Sequence, residues 1–232
     1  MHIAGLQKMT LLDFPGRVAC TVFLPGCNFR CPFCHNSGLF SGETPEGMSV
    51  DDLLRFLKSR QGLLDGVCIT GGEPTLHPDL PQLLARIREL GFAVKLDTNG
   101  GRPDALKAVL GLVDYVAMDA KSSPGGYAAA IGLATADLEA IEESLTLLMG
   151  SGIDYELRTT VVRELHDEAA MTRMGQWLYD LNDSQKIPKL FLQPFVNRPS
   201  VPDQNLHAPE TTQLSRFVEL LRTFVQEVSI RG

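Results

Sequence analysis

The sequence lacks the features that mark membrane and nucleic-acid-binding proteins. No apolar stretch reaches the roughly 18 residues needed to span a bilayer, and the N-terminus has no basic segment followed by an apolar core. Lys and Arg never form a run, and the formal net charge of -7 argues against binding that depends on phosphate neutralisation. We therefore expect a cytoplasmic protein that needs neither a membrane nor a nucleic acid as partner.

Low-complexity segments and domain linkers are also missing. The chain has 232 residues, of which 44% are hydrophobic and 21% are charged, and these proportions are ordinary for a globular protein. A chain of this length can bury a sizeable core within one large domain. We predict a single domain over residues 1–232.

Cysteine is scarce, and its odd count of five disfavours a disulfide framework in a cytosolic chain. Two of the thiols, Cys20 and Cys68, lie in apolar runs typical of strands, where we interpret them as buried free thiols. The remaining three lie within one loop that prolines and glycine interrupt, and their spacing lets them face one point: Cys27, Cys31 and Cys34. Such a loop suits an iron-sulfur cluster or a zinc ion.

The loop has no fourth cysteine, although a closed cluster site generally has four. If a cubane cluster binds there, one iron has no protein ligand and can bind a small molecule, as catalytic metal sites keep one position open. The rest of the chain is expected to supply the binding site for that molecule.

Strand and helix patterns alternate about six times along the chain, which predicts parallel strands with right-handed crossovers. Six units are too few for a closed eight-stranded barrel. We predict an α/β fold, a partial (β/α)6 TIM-like barrel, with a doubly wound sheet as the alternative. The predicted strands are Val18–Leu24, Gly66–Thr70, Phe92–Thr98, Asp114–Met118, Tyr155–Val162 and Lys189–Gln193.

Two further segments complete this prediction. The irregular stretch Pro194–Pro209 is the best candidate for a lid or a partner contact, because long irregular connections are often functional. A final helix is predicted near Glu210–Val225.

Polar residues follow four of the predicted strands, where parallel folds place their sites. They are the cysteine loop, Gly71-Gly72-Glu73-Pro74, Asp97-Thr98-Asn99 and Asp119-Ala120-Lys121. The period-two alternation also turns Lys95 with Asp97, and Glu156 with Arg158, to the inner face of their strands. Buried charges are costly unless they pair or bind a ligand, so we predict a polar lumen beside the thiols.

Each of these features also has a simpler interpretation. Gly71-Gly72 can be an ordinary turn, Asp119 and Lys121 can form a surface ion pair, and Glu156 can merely neutralise Arg158. The combination, with each element after a different strand of one alternating fold, favours a site.

The cysteine loop has the spacing of the radical S-adenosylmethionine (SAM) superfamily, including the aromatic Phe33 before the third cysteine, and Gly71-Gly72-Glu73-Pro74 resembles its glycine-glycine-glutamate-proline motif. Four other stretches resemble the glycyl-radical-enzyme activases: Asp13–Gly16, Cys34–Asn36, Leu96–Gly100 and Met118–Lys121. The likeness runs from about Leu11 to Arg158. Without an inserted ferredoxin domain, the short chain resembles the activating proteins of anaerobic ribonucleoside-triphosphate reductase.

This resemblance implies a four-iron four-sulfur (4Fe-4S) cluster on the three loop cysteines, with the amino and carboxylate groups of SAM on the fourth iron. It implies that Gly72 and Glu73, after Gly71, hold the methionine amino group and that the backbone at Phe33 holds the adenine. Five residues are implied to line the rest of the SAM site: Asp97, Asn99, Asp119, Lys121 and Arg158. In pyruvate formate-lyase activases, the equivalents of Asp97, Thr98 and Asp119 also help to hold a monovalent cation.

The chemistry implied is one-electron cleavage of SAM to a 5'-deoxyadenosyl radical, which abstracts hydrogen from a backbone glycine of a partner enzyme. The implied partners are a glycyl-radical enzyme, here anaerobic ribonucleotide reductase, and an electron donor such as flavodoxin or ferredoxin. Asp13 is implied to help position the glycine loop of the partner enzyme.

One position departs from the activase pattern, since Val196 stands where better known activases carry a histidine after the sixth strand. The departure puts the partner in question and leaves two alternatives. A radical SAM enzyme can act on a small molecule, as a deazapurine-forming synthase does, or the loop can be a structural or electron-transfer module. We interpret His35, His77 and His166 as solvated or structural residues.

Overall fold

The computed structural model describes residues 1–40 and 47–231. In this part of the chain the strands are β1 (His2–Ile3), β2 (Gly5–Thr10), β3 (Ala19–Leu24), β4 (Met48–Ser49), β5 (Gly66–Gly71), β6 (Ala93–Thr98), β7 (Tyr115–Asp119), β8 (Asp154–Val161), β9 (Ile187–Pro194) and β10 (Val225–Ile230). The α-helices are α1 (Val50–Lys58), α2 (Leu80–Glu89), α3 (Pro103–Val109), α4 (Tyr127–Ile131), α5 (Leu138–Met149), α6 (Glu168–Leu181) and α7 (Thr211–Leu221).

Eight strands form one sheet in the order β10-β9-β8-β7-β6-β5-β3-β2. Strand β2 pairs antiparallel with β3, and every other neighbouring pair is parallel. Strands β1 and β4 pair separately. The sheet is open, and its parallel strands follow one another in chain order without the reversal of a doubly wound sheet, so the predicted partial barrel is confirmed.

The six predicted parallel strands are β3, β5, β6, β7, β8 and β9, and their bounds agree with the prediction within two residues. The C-terminal prediction is wrong in one respect. The last helix ends at Leu221, and Val225–Ile230 forms a seventh parallel strand against β9. Only Val225 and Val228 of β10 are buried, a spacing of three that gives no period-two signal.

Local sequence explains how the helices begin. Ser49 caps α1 through a capping box with Asp52, and Asp137 and Asp167 cap α5 and α6 by accepting backbone N–H hydrogen bonds. The apolar stripes of these helices pack against the outer face of the sheet, as amphipathic helices do in this layered architecture. None of the helices in the described ranges is long and apolar enough to cross a membrane.

The floor of the barrel lies at the N-terminal ends of the parallel strands. Phe14, in the hairpin between β2 and β3, is buried against Tyr115 of β7, with ring centroids 6.2 Å apart. Gly66 leaves room for the Phe14 ring, because a Cβ atom there would lie 2.9 Å from it. This apolar plug closes the lumen at the end opposite the cysteine loop.

Candidate functional site

A cavity of about 240 Å³ opens at the C-terminal ends of the parallel strands. Its walls come from the cysteine loop after β3 and from the ends of β5, β6, β7 and β8. Twelve residues predicted from the sequence line it together: Cys27, Cys31, Phe33, Cys34, Gly71, Gly72, Glu73, Asp97, Asn99, Asp119, Lys121 and Arg158.

The three thiols share one electrostatic environment. Burial raises the pKa of each thiol, and the charge of one of the other two cysteines raises it further. Lys121 opposes this rise at all three positions. Cys27 Sγ also accepts a hydrogen bond from the Phe29 N–H at 3.4 Å. The three thiols can therefore serve as ligands of a metal-sulfur group, and the nearby ammonium of Lys121 suits the negative charge of such a group.

The turn after β5 packs directly onto the start of the cysteine loop. Gly71 has φ of 122°, a conformation that favours glycine, and a Cβ atom on Gly72 would lie 2.0 Å from the Gly26 carbonyl oxygen. The Glu73 N–H donates to the same oxygen at 2.8 Å. The two glycines are therefore required by close backbone contact, and the simple-turn interpretation is insufficient.

Glu73 is fully buried and links two loops of the site. Its Oε1 accepts hydrogen bonds from the Thr75 N–H at 3.0 Å and the Thr98 hydroxyl at 2.7 Å, and its Oε2 accepts one from the Asn99 N–H at 2.6 Å. Burial raises the pKa of Glu73, while these hydrogen bonds lower it. The carboxylate thus holds the end of β6 against the turn after β5.

Five charged side chains form a continuous row across the lumen, which we call the ion row; Lys95 is buried, and the other four are partly buried: Asp97, Arg158, Asp119 and Lys121. Arg158 Nη1 lies 2.9 Å from Asp97 Oδ2, and Lys121 Nζ lies 2.6 Å from Asp119 Oδ2. Burial alone would raise the pKa of Asp97, but Arg158 and Lys95 lower it to about 2. The predicted polar lumen is present, and Asp119 with Lys121 is a partly buried pair in its wall rather than a surface ion pair.

The ion row contains one donor without a hydrogen-bond partner. Arg158 Nε is buried and makes no hydrogen bond within the described structure, although Asp119 Oδ1 lies 3.4 Å away. A buried guanidinium N–H is costly when it is left unpaired, so an acceptor on a bound ligand would satisfy it. The residues present therefore fit a metal-sulfur group with an anionic ligand beside it.

Residues 195–209, which we call the strap, connect β9 to α7 and contact the cysteine loop. His35 Nε2 lies 2.7 Å from the Val196 carbonyl oxygen, the Ser200 hydroxyl donates to the His35 carbonyl at 3.0 Å, and the Asp203 N–H donates to the Pro32 carbonyl at 3.0 Å. The His35 ring stacks on Phe195 at 5.9 Å. The strap therefore bridges β9 and the loop after β3, near the two edges of the open sheet.

Three further expectations concern Glu156, Cys68 and Asp13. Glu156 pairs with Arg231 rather than neutralising Arg158 by direct contact. Cys68 is a buried free thiol, as predicted, and its Sγ lies 3.7 Å from Asp97 Oδ1. Asp13 does not line the cavity, and its carboxylate accepts a hydrogen bond from the Thr21 hydroxyl at 2.5 Å. Its role towards a partner loop stays a prediction without geometric support.

Sequence reasoning missed several cavity-lining residues, namely Phe29, His35, Thr160 and Gln193. Thr160 shares the inner face of β8 with Arg158, so strand alternation was the signal that pointed to it. His35 carried no such signal because its position depends on the strap. The exposed Val196 contributes its carbonyl oxygen to His35.

His77 and His166, likewise predicted to be solvated or structural, each form a hydrogen bond with a backbone carbonyl near the site. His166 is buried, and its Nε2 lies 2.9 Å from the Lys121 carbonyl oxygen, while His77 Nε2 lies 2.8 Å from that of Pro25. Both therefore fit a structural role. Within residues 1–40 and 47–231, no group of three or more His, Cys, Asp and Glu side chains is placed to hold a single metal ion.

Comparison with known proteins gives one family and several relatives. The model of the radical SAM superfamily matches residues 21–173. A Methanocaldococcus jannaschii protein, provisionally named a glycyl-radical enzyme activating enzyme, is 28% identical over 99% of this chain and 95% of its own length. The pyruvate formate-lyase-activating enzyme of Clostridium pasteurianum is 28% identical over 82% of this chain and 81% of its own.

Solved structures show the same architecture. A radical SAM methyltransferase from Sphaerobacter thermophilus superposes with a TM-score of 0.73 at 14% identity, and the match covers 96% of this chain and 68% of that one. At that identity, the likeness concerns the fold alone.

Proposed function

This chain belongs to the radical SAM superfamily, and we propose that it is an activase that installs a glycyl radical on a partner enzyme. One arrangement supports this function: three coupled thiols, the Gly71–Glu73 turn and the ion row surround a single cavity. Relatives named as activating enzymes, which match almost the whole chain or most of it, support the same function.

Cys27, Cys31 and Cys34 would hold a 4Fe-4S cluster, and the missing fourth thiol would leave one iron for SAM. When bound, the cluster and SAM supply reductive carbon-sulfur cleavage and a radical that can abstract hydrogen. Gly72 and Glu73 would lie at the methionine amino group, and the Phe33 backbone at the adenine.

The ion row would bind the charged part of SAM. Its cations would contact the carboxylate of SAM, and its two carboxylates would contact the sulfonium. The unpaired Arg158 N–H offers a donor for the same group or for the ribose. Asp97, Asn99, Asp119 and Lys121 would orient SAM, and the buried lumen would keep water away from it.

The partner we propose is anaerobic ribonucleotide reductase, with a low-potential donor such as flavodoxin or ferredoxin as the source of the electron. The resemblance of the sequence to the activating proteins of that reductase supports this choice. Val196 in place of a histidine distinguishes the chain from the better known activases, and His35 supplies an imidazole to the cavity wall instead.

The first test reconstitutes the protein anaerobically with iron and sulfide, reduces it, adds SAM and measures 5'-deoxyadenosine. Cys31→Ala should abolish product, whereas Cys20→Ala is a matched control because Cys20 is a buried thiol outside the cavity lining. Absence of product from the wild type, with a cluster spectrum that SAM does not change, would leave only a structural or electron-transfer site.

The second test adds purified anaerobic ribonucleotide reductase and records its glycyl-radical signal by electron paramagnetic resonance. We expect the signal with the wild-type reductase and none when its radical-bearing glycine is replaced by alanine. Turnover of a small molecule without any protein partner would support the synthase alternative instead.

A further inference from the structure

Lys95 lies inside the barrel and not at its surface. Its side chain is 1% exposed, and its ammonium group pairs with Asp97 Oδ1. The other neighbours of Nζ are Cys68 Sγ at 3.8 Å and the ring of Tyr115, whose centroid is 6.0 Å away. A lysine this deeply buried needs a compensating anion, and Asp97 supplies it.

Asp97 has a protein cation on each of its two oxygens. Lys95 contacts Oδ1, and Arg158 Nη1 lies 2.9 Å from Oδ2. Asp119 is paired in the same way, with Arg158 Nε 3.4 Å from Oδ1 and Lys121 Nζ 2.6 Å from Oδ2. Both carboxylates are therefore neutralised by side chains of the chain itself.

Thr98 is also engaged within the protein. Its hydroxyl donates to Glu73 Oε1 at 2.7 Å and accepts from the Gly100 N–H at 3.2 Å. Asp97, Thr98 and Asp119 are the residues that resemblance to the activases assigns to a monovalent cation. The side-chain oxygens of Asp97 and Thr98 are engaged within the protein, whereas Asp119 Oδ1 has only the 3.4 Å contact with Arg158 Nε and no hydrogen bond. Asp97 and Thr98 therefore do not fit such an ion.

The charge balance supports the same conclusion. The ion row has three cations and two carboxylates. Together with the fully buried Glu73, the row has three cations and three carboxylates, so Lys95 already supplies the charge that balances them. A metal cation added there would leave a positive charge in excess, which low-dielectric surroundings penalise.

We propose that Lys95 is a built-in substitute for the monovalent cation, so that its ammonium holds Asp97 in place for Arg158 without an added metal ion. Lys95 is thus a positioning residue: it acts on SAM through Asp97 and Arg158. Because the ammonium belongs to a residue of β6, it is present beside Asp97 whatever the concentration of monovalent cations in solution.

The experiment measures SAM affinity of the reconstituted holoprotein in potassium chloride, in sodium chloride and in choline chloride at equal ionic strength. Choline is too large to replace a metal ion between carboxylates. We expect the dissociation constant of the wild type to change by less than about twofold among the three salts. A wild type that binds SAM at least about fivefold more tightly with potassium or sodium would overturn the proposal.

The main variant is Lys95→Met, which keeps the length of the side chain and removes its charge. In choline it should bind SAM at least about fivefold more weakly, because Asp97 Oδ1 loses its partner, and potassium or sodium should restore binding. Lys95→Arg should keep the salt independence. Lys189→Met is the matched control, since Lys189 is an exposed strand lysine outside the ion row.

Two results with Lys95→Met would contradict the proposal: affinity equal to that of the wild type in choline, or a loss that no monovalent cation restores. Broadening of the sodium-23 NMR signal gives a second measurement, which detects a bound sodium ion directly and does not require SAM. We expect no broadening from the wild type beyond that of its Asp97→Asn variant. Specific broadening that Asp97→Asn removes would show a bound ion and overturn the proposal. None of these measurements uses the partner enzyme, so the outcome is independent of the proposed activation reaction.

Discussion

Arg231 donates two hydrogen bonds to the buried carboxylate of Glu156, at 2.7 Å from Nη1 to Oε1 and at 3.1 Å from Nη2 to Oε2. The Tyr115 hydroxyl donates to the same carboxylate at 2.8 Å, and the Arg231 guanidinium lies 3.5 Å from the ring centroid of Phe191. Arg231, the first residue after β10, therefore neutralises the charge of Glu156 in β8. Paired in this way, Glu156 leaves Arg158 to the two aspartates of the ion row.

Replacing Arg231 by methionine should destabilise the fold. Glu156 would keep only the Tyr115 hydroxyl as a partner, and breaking a buried ion pair costs about 2–4 kcal/mol. Chemical denaturation of the cluster-free protein measures the loss, with the exposed Arg222→Met as control. The double variant Arg231→Met, Glu156→Gln should recover part of it. Equal stability of Arg231→Met and the wild type would contradict this assignment.

Gly72→Ala should separate the turn after β5 from the cysteine loop. A Cβ atom at this position would meet the Gly26 carbonyl oxygen at 2.0 Å, and backbone atoms cannot rotate away. Iron and sulfide content after reconstitution should fall to less than about half of the wild-type value, because misplaced loops hold a cluster poorly. Gly38→Ala, whose Cβ would meet nothing within 4 Å, should reconstitute normally.

Ser200→Ala should loosen the strap. The variant loses the hydrogen bond from the Ser200 hydroxyl to the His35 carbonyl, worth about 1 kcal/mol, or roughly a fivefold shift in an opening equilibrium. Cluster bleaching in air should therefore be about fivefold faster than in the wild type. Ser215→Ala removes an exposed helix hydroxyl and serves as control. Unchanged bleaching of Ser200→Ala would argue that the strap does not shield the loop.

His166 should make stability depend on pH. Burial lowers its pKa from 6.5, and its Nδ1 accepts a hydrogen bond from the Val162 N–H at 3.0 Å. The imidazole is therefore neutral, and its Nε2 donates to the Lys121 carbonyl oxygen. Because the folded-state pKa is the lower one, its contribution to stability is complete above about pH 6.5 and is lost as the pH falls below that value. The melting temperature between pH 7.5 and 5.5 measures this loss.

His166→Gln should show a smaller fall of melting temperature over the same range, since glutamine does not titrate. The exposed His207 provides the comparison, and His207→Gln should keep the fall seen in the wild type. If His166→Gln and the wild type fall in parallel, another group controls the dependence.

The residues that line the cavity could be predicted from the sequence because they follow local rules. The spacing of the three thiols, the Gly71–Glu73 turn and the alternation of Lys95 with Asp97 each involve only a few neighbouring residues. Alternating strands and helices then place their loops at one end of a parallel sheet, whatever the details of packing. Twelve of the thirteen predicted site residues line one cavity for that reason.

Asp13 lies in the hairpin between β2 and β3, outside the cavity lining, and its role towards a partner loop stays a prediction. Strand β10 was missed because it shows little period-two pattern and depends on its pairing with β9. The strap was recognised as a candidate lid, but its contacts with the cysteine loop join residues 161 and 165 positions apart. Local patterns carry no information about such contacts.

The sequence by itself determined the parallel fold, the cysteine loop and which charges face inward, because the period of a strand and the spacing of a loop are properties of adjacent residues. Only the tertiary structure decided how those charges pair. Arg158 and Asp97 are 61 residues apart, and Arg231 and Glu156 are 75 apart. Which cation reaches which carboxylate depends on strand order and register, which long-range packing selects from several alternatives.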